Sequence, residues 1–202
     1  MKLKKPIIVT MGEPSGISSE IIIKTWLKRK SLSIPPFILI DDLIKLKKIN
    51  HIFNLDANFQ TIDQEEDISK IFKIAMPILD LKANISPKLG LPDKKNSKFV
   101  LKSIDEALKL ILRNKVSGML TLPVCKKTLK EAKFNFNGQT EYLSYLTKNK
   151  TKKKFSEIMI LSTTKPVDNG KNLIVGLITT HIPFREIHNT IKKKIIFEKI
   201  LS

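Results

Sequence analysis

A chain of 202 residues, 42% hydrophobic and 28% charged, is long enough to bury a core and reads as globular, not disordered or fibrous. No apolar run reaches the ~20 residues that span a bilayer. The basic start is too short and too broken by Gly and Pro for a secretory leader, and a lone Cys125 excludes an intrachain disulfide framework and suits a cytoplasmic protein.

The chain alternates strand-like and helix-like segments. Pro6–Met11 reads as a strand and Ser18–Lys30 as a helix with Ile17, Ile21, Ile22 and Trp26 along one side. Pro35–Asp41 is a short buried strand, Asp42–Asn50 a helix, and a weaker strand lies near Ala57–Ile62. Lys73–Leu81 reads as another strand, which Pro77 assigns to an edge or a bulge. The Pro- and Gly-bearing stretch that follows makes 82–96 the expected internal boundary. From Ser97 to Lys115, Val100, Ile104, Ala107, Leu108 and Ile111 recur at helical spacing, with Ser97 as N-cap. Ser117–Pro123 reads as a strand and Thr140–Lys148 as a short helix. Two apolar strands, "EIMILST" and "NLIVGLITT", flank a turn and suggest a hairpin, before a closing helix, "IKKKIIFEKILS". Strands joined by helices imply α/β/α layers around a mostly parallel sheet, whose ligands bind at the carboxyl ends of the strands.

The unusual residues fall at those ends. "MGEPSG" after the first strand leads into a helix start, where backbone amides can seat an anion or a cofactor edge; it also reads as a plain strand-to-helix turn. "TLPVCKK" puts Thr121, Pro123 and Lys126 on the same rim if the two strands run parallel, Lys126 being either a phosphate partner or a surface lysine. Cys125 reads more simply as a packed thiol than as a nucleophile. "FNGQTEYL" presents Gln139 and Thr140 to a ligand, or uses Thr140 as a helix cap. "ITTHIPFREI" delivers Thr179, Thr180 and His181 to a strand end, where His181 can bind a metal, exchange a proton or simply be hydrogen-bonded. His51 and His188 read as surface or partly packed residues.

Together and in order, "IIVTMGEPSGISSEI", "TLPVCKK", "FNGQTEYL" and "LITTHIPFREI" resemble the 4-hydroxythreonine-4-phosphate dehydrogenase family of vitamin B6 biosynthesis, over nearly the whole chain. The resemblance implies a two-domain fold akin to isocitrate and isopropylmalate dehydrogenases, acting as a homodimer. It implies oxidation of the C3 hydroxyl of 4-phosphooxy-L-threonine by NAD or NADP, then loss of CO2 to give 3-amino-2-oxopropyl phosphate. A divalent metal (Zn, Mg, Mn or Co), held by three histidines from both subunits, would stabilise the developing alkoxide, while the nicotinamide takes the hydride. By motif position His181 is the first metal histidine, and Gln139 and Thr140 fall where the family binds substrate. Glu13 is placed near cofactor or substrate and Lys126 at the phosphate side of the rim; no catalytic residue is assigned.

Three departures stand out. Gln139 occupies a position where the family has His, and so can hydrogen-bond but not titrate. The family's Gly-Ile-Gly-Pro-Glu becomes Gly16-Ile17-Ser18-Ser19-Glu20. The chain also matches only the N-terminal two-thirds of such an enzyme, without the other two metal histidines and a substrate-binding Lys, Asn and Arg. The expectation is therefore a truncated form, inactive alone, whose last helix exposes Ile195, Ile196, Phe197, Ile200 and Leu201. Two rival classes are a phosphate acyltransferase of related fold and a basic nucleic-acid-binding module. For the latter, the net charge of +18 is the attraction. Against it, arginine occurs only at positions 29, 113 and 185, lysines are scattered, and aromatic residues amount to 6%, giving no stacking platform. A lysine-rich background accounts for the charge, and no nucleic-acid or membrane partner is expected.

Overall fold

The computed structural model describes residues 5–63, 67–152, 157–180 and 182–201. The chain divides into two compact units, Met1–Asn135 and Phe136–Ser202.

The first unit is built on a five-stranded sheet. Its strands are β1 (Ile7–Thr10), β2 (Phe37–Asp41), β3 (Phe59–Thr61), β4 (Met76–Asp80) and β5 (Gly118–Thr121), in the order β3-β4-β2-β1-β5. Every pairing among them is parallel. The connecting helices are α1 (Ser18–Leu27), α2 (Leu43–Ile52), α3 (Ile68–Ile74) and α4 (Ser97–Leu112), with α5 (Lys126–Glu131) after β5. Alternation along the strands gives the sheet two apolar faces. Val9, Leu39, Met76 and Ile78 pack with Ile22, Ile23 and Trp26 of α1 and Leu46 and Ile49 of α2. Ile8, Ile38 and Ile40 point the other way, onto Ala107 and Leu110 of α4 and Ile71 of α3. Both faces covered by helices is the reason these strands read as unbroken apolar runs.

Several expectations need correction. Ile17 and Ile21 are exposed; the buried stripe of α1 is Ile22, Ile23 and Trp26, because residues four apart share a helix face. Ser97 is not a cap: the helix starts at Ser97 after a 3₁₀ turn over Lys94–Asn96, where Asp93 accepts the Lys95 N–H (2.9 Å). β4 is an interior strand despite Pro77. The Met76 N–H donates to the Asn58 carbonyl (2.8 Å) and the Ile78 carbonyl accepts the Ile62 N–H (3.0 Å), so Pro77, between them, turns its missing donor toward β2. Pairing of β2 with β4 begins only at Ile78, and no ladder bond is lost. Helix α3, absent from the sequence reading, is started by Asp67, whose carboxylate accepts the N–H groups of Ser69 and Lys70. The unit boundary falls after Asn135. Segment 82–96 lies inside the first unit, where Ile85 packs with Met11 and Val100, and the Gly90 N–H donates to the Ser15 carbonyl (2.8 Å).

An ion pair is buried in this core. Lys45, fully buried in the first turn of α2, reaches Asp41 at the end of β2 (2.8 Å) and donates to the Ser19 hydroxyl in α1 (2.8 Å). Burial pushes the Asp41 carboxyl up from the usual carboxylate range, while Lys45 and the Asp42 N–H act against that rise.

The second unit carries α6 (Gln139–Thr151), an antiparallel pair of β6 (Met159–Ser162) and β7 (Ile174–Leu177), then α7 (Ile187–Thr190) and α8 (Lys193–Ile200). The expected hairpin is present, but β7 is not buried. Ile160, Leu161, Ile174 and Val175 are exposed, and in α8 Phe197 and Ile200 are bare while Ile195 and Ile196 are half-buried. Among the described residues no helix is long and apolar enough to cross a membrane.

The Lys45 pair makes a direct prediction. Lys45→Met should destabilise the fold by about 3–5 kcal/mol, because the Asp41 carboxylate stays buried without its counter-charge. Adding Asp41→Asn should recover much of that loss in urea unfolding. A single substitution as mild as an exposed one would show that the pair is not buried.

Candidate functional site

β1 and β5 are parallel neighbours with Thr10 opposite Thr121, so their outgoing loops start at the same level. From β1 the chain goes to β2 on one side, while β5 lies on the other. Ligands of open parallel sheets gather at such a reversal of strand order.

The turn after β1 is fastened there. The Glu13 N–H and the Ser18 hydroxyl both donate to the Pro123 carbonyl, at 2.8 and 2.9 Å, and the Met11 N–H donates to the Ser103 hydroxyl (3.1 Å). A Cβ on Gly12 would stand 2.5 Å from the Pro123 oxygen and 2.2 Å from the Ser18 oxygen, so glycine is required by close approach. Gly16 is under no such pressure, its nearest neighbours being 3.4 Å away.

Glu13 and Lys126 lie on this rim in different ways. Glu13 is 7% exposed, and its carboxylate accepts the Ser15 N–H (3.1 Å) and the Thr128 hydroxyl (3.4 Å), tying the turn to α5. Lys126, first residue of α5, is exposed and has no acidic partner among the described residues. Two hydroxyls missed by the sequence reading belong to the same loop region. Thr10 Oγ1 and Ser15 Oγ are buried and have no hydrogen-bond partner among the described residues, which costs each about 1–3 kcal/mol unless a ligand or water supplies one. The signal was a threonine and a serine inside otherwise apolar or turn-forming positions, where their burial could not be read. Cys125 is half-buried, immediately before α5.

In the second unit, Gln139 and Thr140 are the first two residues of α6. Gly138, in extended conformation, precedes them, and no side chain caps the helix, so Thr140 is exposed rather than spent on a cap. Gln139 Oε1 is buried without a hydrogen-bond partner among the described residues. Phe136 packs its ring against Tyr142 (5.2 Å) and Tyr145 (5.1 Å), fixing this helix start. Further along, the Ser144 hydroxyl donates to the Glu157 carboxylate (2.7 Å). Burial raises the Glu157 carboxyl, but Ser144, a backbone amide, Lys199 and Lys148 together hold it below the usual carboxylate range.

His181 lies outside the described residues; β7 ends at Leu177, before Thr179 and Thr180. His188 in α7 and His51 in α2 are both exposed. Among the described residues no three His, Cys, Asp or Glu side chains stand close enough to hold a metal ion.

Comparison with known proteins gives a consistent answer. The family model described as pyridoxal phosphate biosynthetic protein PdxA matches residues 34–202. The 4-hydroxythreonine-4-phosphate dehydrogenase of Zymomonas mobilis is 29% identical over 195 residues, covering 96% of this chain and 54% of the relative. That of Sulfurihydrogenibium sp. is 28% identical, covering 96% of this chain and 55% of the relative. The crystal structure of 4-hydroxythreonine-4-phosphate dehydrogenase from Klebsiella pneumoniae superposes with a TM-score of 0.78 at 27% identity, over 98% of this chain and 57% of that one. The chain thus spans about half the length of the curated relatives it matches.

The glycine geometry separates the two positions experimentally. Gly12→Ala should cost roughly 1–3 kcal/mol through overpacking against a backbone carbonyl. Gly16→Ala should stay within about 0.5 kcal/mol of the parent. Thermal unfolding reads both, and equal losses would show that the turn is not clamped as described.

Proposed function

The chain belongs to the PdxA family of pyridoxal phosphate biosynthetic proteins, and on that premise we propose that it forms part of an NAD(P)-dependent 4-hydroxythreonine-4-phosphate dehydrogenase. The reaction proposed is oxidation of 4-phosphooxy-L-threonine and decarboxylation to 3-amino-2-oxopropyl phosphate, carried out by a cytoplasmic homodimer. What supports the reading, beyond kinship, is that the motif segments carry buried polar atoms without a partner among the described residues: Thr10 Oγ1, Ser15 Oγ and Gln139 Oε1.

These orphan atoms suit a hydrogen-bonding ligand, so the residues of the β1 loop fit a nicotinamide cofactor. When bound, that cofactor accepts the hydride from the substrate carbon. In this reading the Gly12–Ile17 turn presents its backbone and the Ser15 hydroxyl to the cofactor. Glu13 serves through the loop it holds, since its carboxylate already accepts from Ser15 and Thr128. Lys126, exposed and without an acidic partner among the described residues, attracts a phosphate as a point charge. Gln139 and Thr140 bind substrate at the start of α6, and Gln139 orients it without exchanging protons, because an amide does not titrate near neutrality.

His181 enters the proposal as one ligand of a divalent metal. The remaining residues of the chain do not assemble a metal site among the described residues, so no step is derived through the ion. Residues beyond this span would complete the site and cover the apolar β6–β7 strands and α8 in the whole enzyme.

A turnover assay tests the proposal. With 4-phosphooxy-L-threonine, NAD+ and a divalent metal, the 202-residue chain alone should form no NADH. A version extended to the relatives' full length should form it, and His181→Ala should abolish that activity while circular dichroism stays unchanged. NADH from the short chain, or activity indifferent to His181, would contradict the proposal.

A further inference from the structure

The two hydroxyls at the start of α1 are engaged in opposite directions. Ser18, the first residue of the helix, donates to the Pro123 carbonyl just beyond β5 (2.9 Å). Ser19, the second, accepts from the Lys45 ammonium (2.8 Å), which is paired in turn with Asp41 at the end of β2 (2.8 Å). Ser19, Lys45 and Asp41 are all buried. β1 pairs with β2 on one side and with β5 on the other, so these bonds tie α1 to the ends of both neighbours of its own strand.

Ser18 and Ser19 are also the positions at which the β1 motif departs from the Gly-Pro of its family. Proline suits the first turn of a helix because its φ is preset, and neither glycine nor proline has a hydroxyl. Here the same turn is fixed by two side-chain hydrogen bonds, one of them from a buried ammonium. The first N–H groups of a helix have no partner inside it, and no side chain caps those of α1, where Ile17 stands at the cap position. Ser15, in the turn that leads to them, is 3% exposed, and its Oγ has no hydrogen-bond partner among the described residues.

An apolar pair of similar volume would fill this part of the core without desolvating two charges. What Lys45 supplies, and an apolar side chain could not, is a directed hydrogen bond to Ser19. We propose that Lys45, acting through Ser19, is a positioning residue for the ligand of the β1 rim, holding the uncapped first turn of α1 in place beside Ser15. The inference rests on the reading of that rim as the cofactor side of the site. Neither Lys45 nor Ser19 touches the ligand. They restrain the helix amides and the Ser15 hydroxyl that meet it, so that less ordering remains to be done on binding.

Two variants separate positioning from stability. Ser19→Ala takes away the acceptor and leaves the Asp41–Lys45 pair in place, whereas the double variant D41N/K45M removes both charges together and strands neither. In the 202-residue chain, hydrogen exchange is followed at the Ser15 and Ile21 amides, which donate to the Glu13 carboxylate and the Ile17 carbonyl. In both variants it should quicken about tenfold or more relative to exchange at Leu39 in the core, whereas a purely structural role would move all three amides together. In the version extended to the relatives' full length, calorimetry with NAD+ should show Kd raised about fivefold or more in both variants. A parent protein of that length that binds no NAD+ would overturn the functional reading, and this inference with it. NAD+ binding with Kd unchanged in either variant, or exchange accelerated equally at Leu39, would overturn the inference alone.

Discussion

One backbone carbonyl, that of Pro123, receives two hydrogen bonds from the opposite loop, from the Glu13 N–H and the Ser18 hydroxyl. It joins the turn after β1, the first residue of α1 and the segment that leads into α5. The joint is possible because β1 and β5 run parallel in register and because Gly12 has no Cβ to hold them apart. The Glu13 carboxylate extends it to Thr128, and Ser103 of α4 receives the Met11 N–H from the other face. A turn that could have been simple punctuation is thereby held at fixed distance from its neighbour, which is what a ligand-bearing rim requires.

The Asp41–Lys45–Ser19 contact has a different character. It spends desolvation on two charges inside a core that apolar side chains could have filled, so its net contribution to stability is small even though breaking it is costly. Its effect is positional: it links the end of β2 to α1 one residue beyond the Pro123 joint. The start of α1 is therefore fixed from both adjacent strands, by Pro123 on one side and by Asp41 through Lys45 on the other.

Much of the first unit was legible in the sequence, because parallel strands buried on both faces must be continuous apolar runs. Phe37–Asp41 and the periodic α4 announced themselves in this way. The errors arose wherever a distant contact decided the outcome. Pro77 signals an edge by local rules, yet it sits inside the sheet at a level where β2 has not begun to pair. Asp42–Asn50 reads as a helix, but nothing local shows that Lys45 is buried and donates to Ser19. Gly12 was visible as an oddity, but its cause, a carbonyl more than a hundred residues away, was not. At the candidate site, Gln139 and Thr140 were correctly read at a helix start, whereas Thr140 as a cap was displaced by the extended Gly138.

The second unit shows the opposite balance, with apolar strands and helix faces exposed and much of its ordering carried by α6 and by Glu157, which links Ser144, Lys148 and Lys199. Within the first unit the joint at Pro123 is the most firmly tied loop contact, and hydrogen exchange resolved by amide tests it most directly. The Glu13 amide should exchange in the slow class of the core strands, alongside Leu39, because its acceptor lies within the fold. Exchange as fast as that of the Gly170 amide, in an exposed turn, would mean that the loop is open and that the rim described here does not exist.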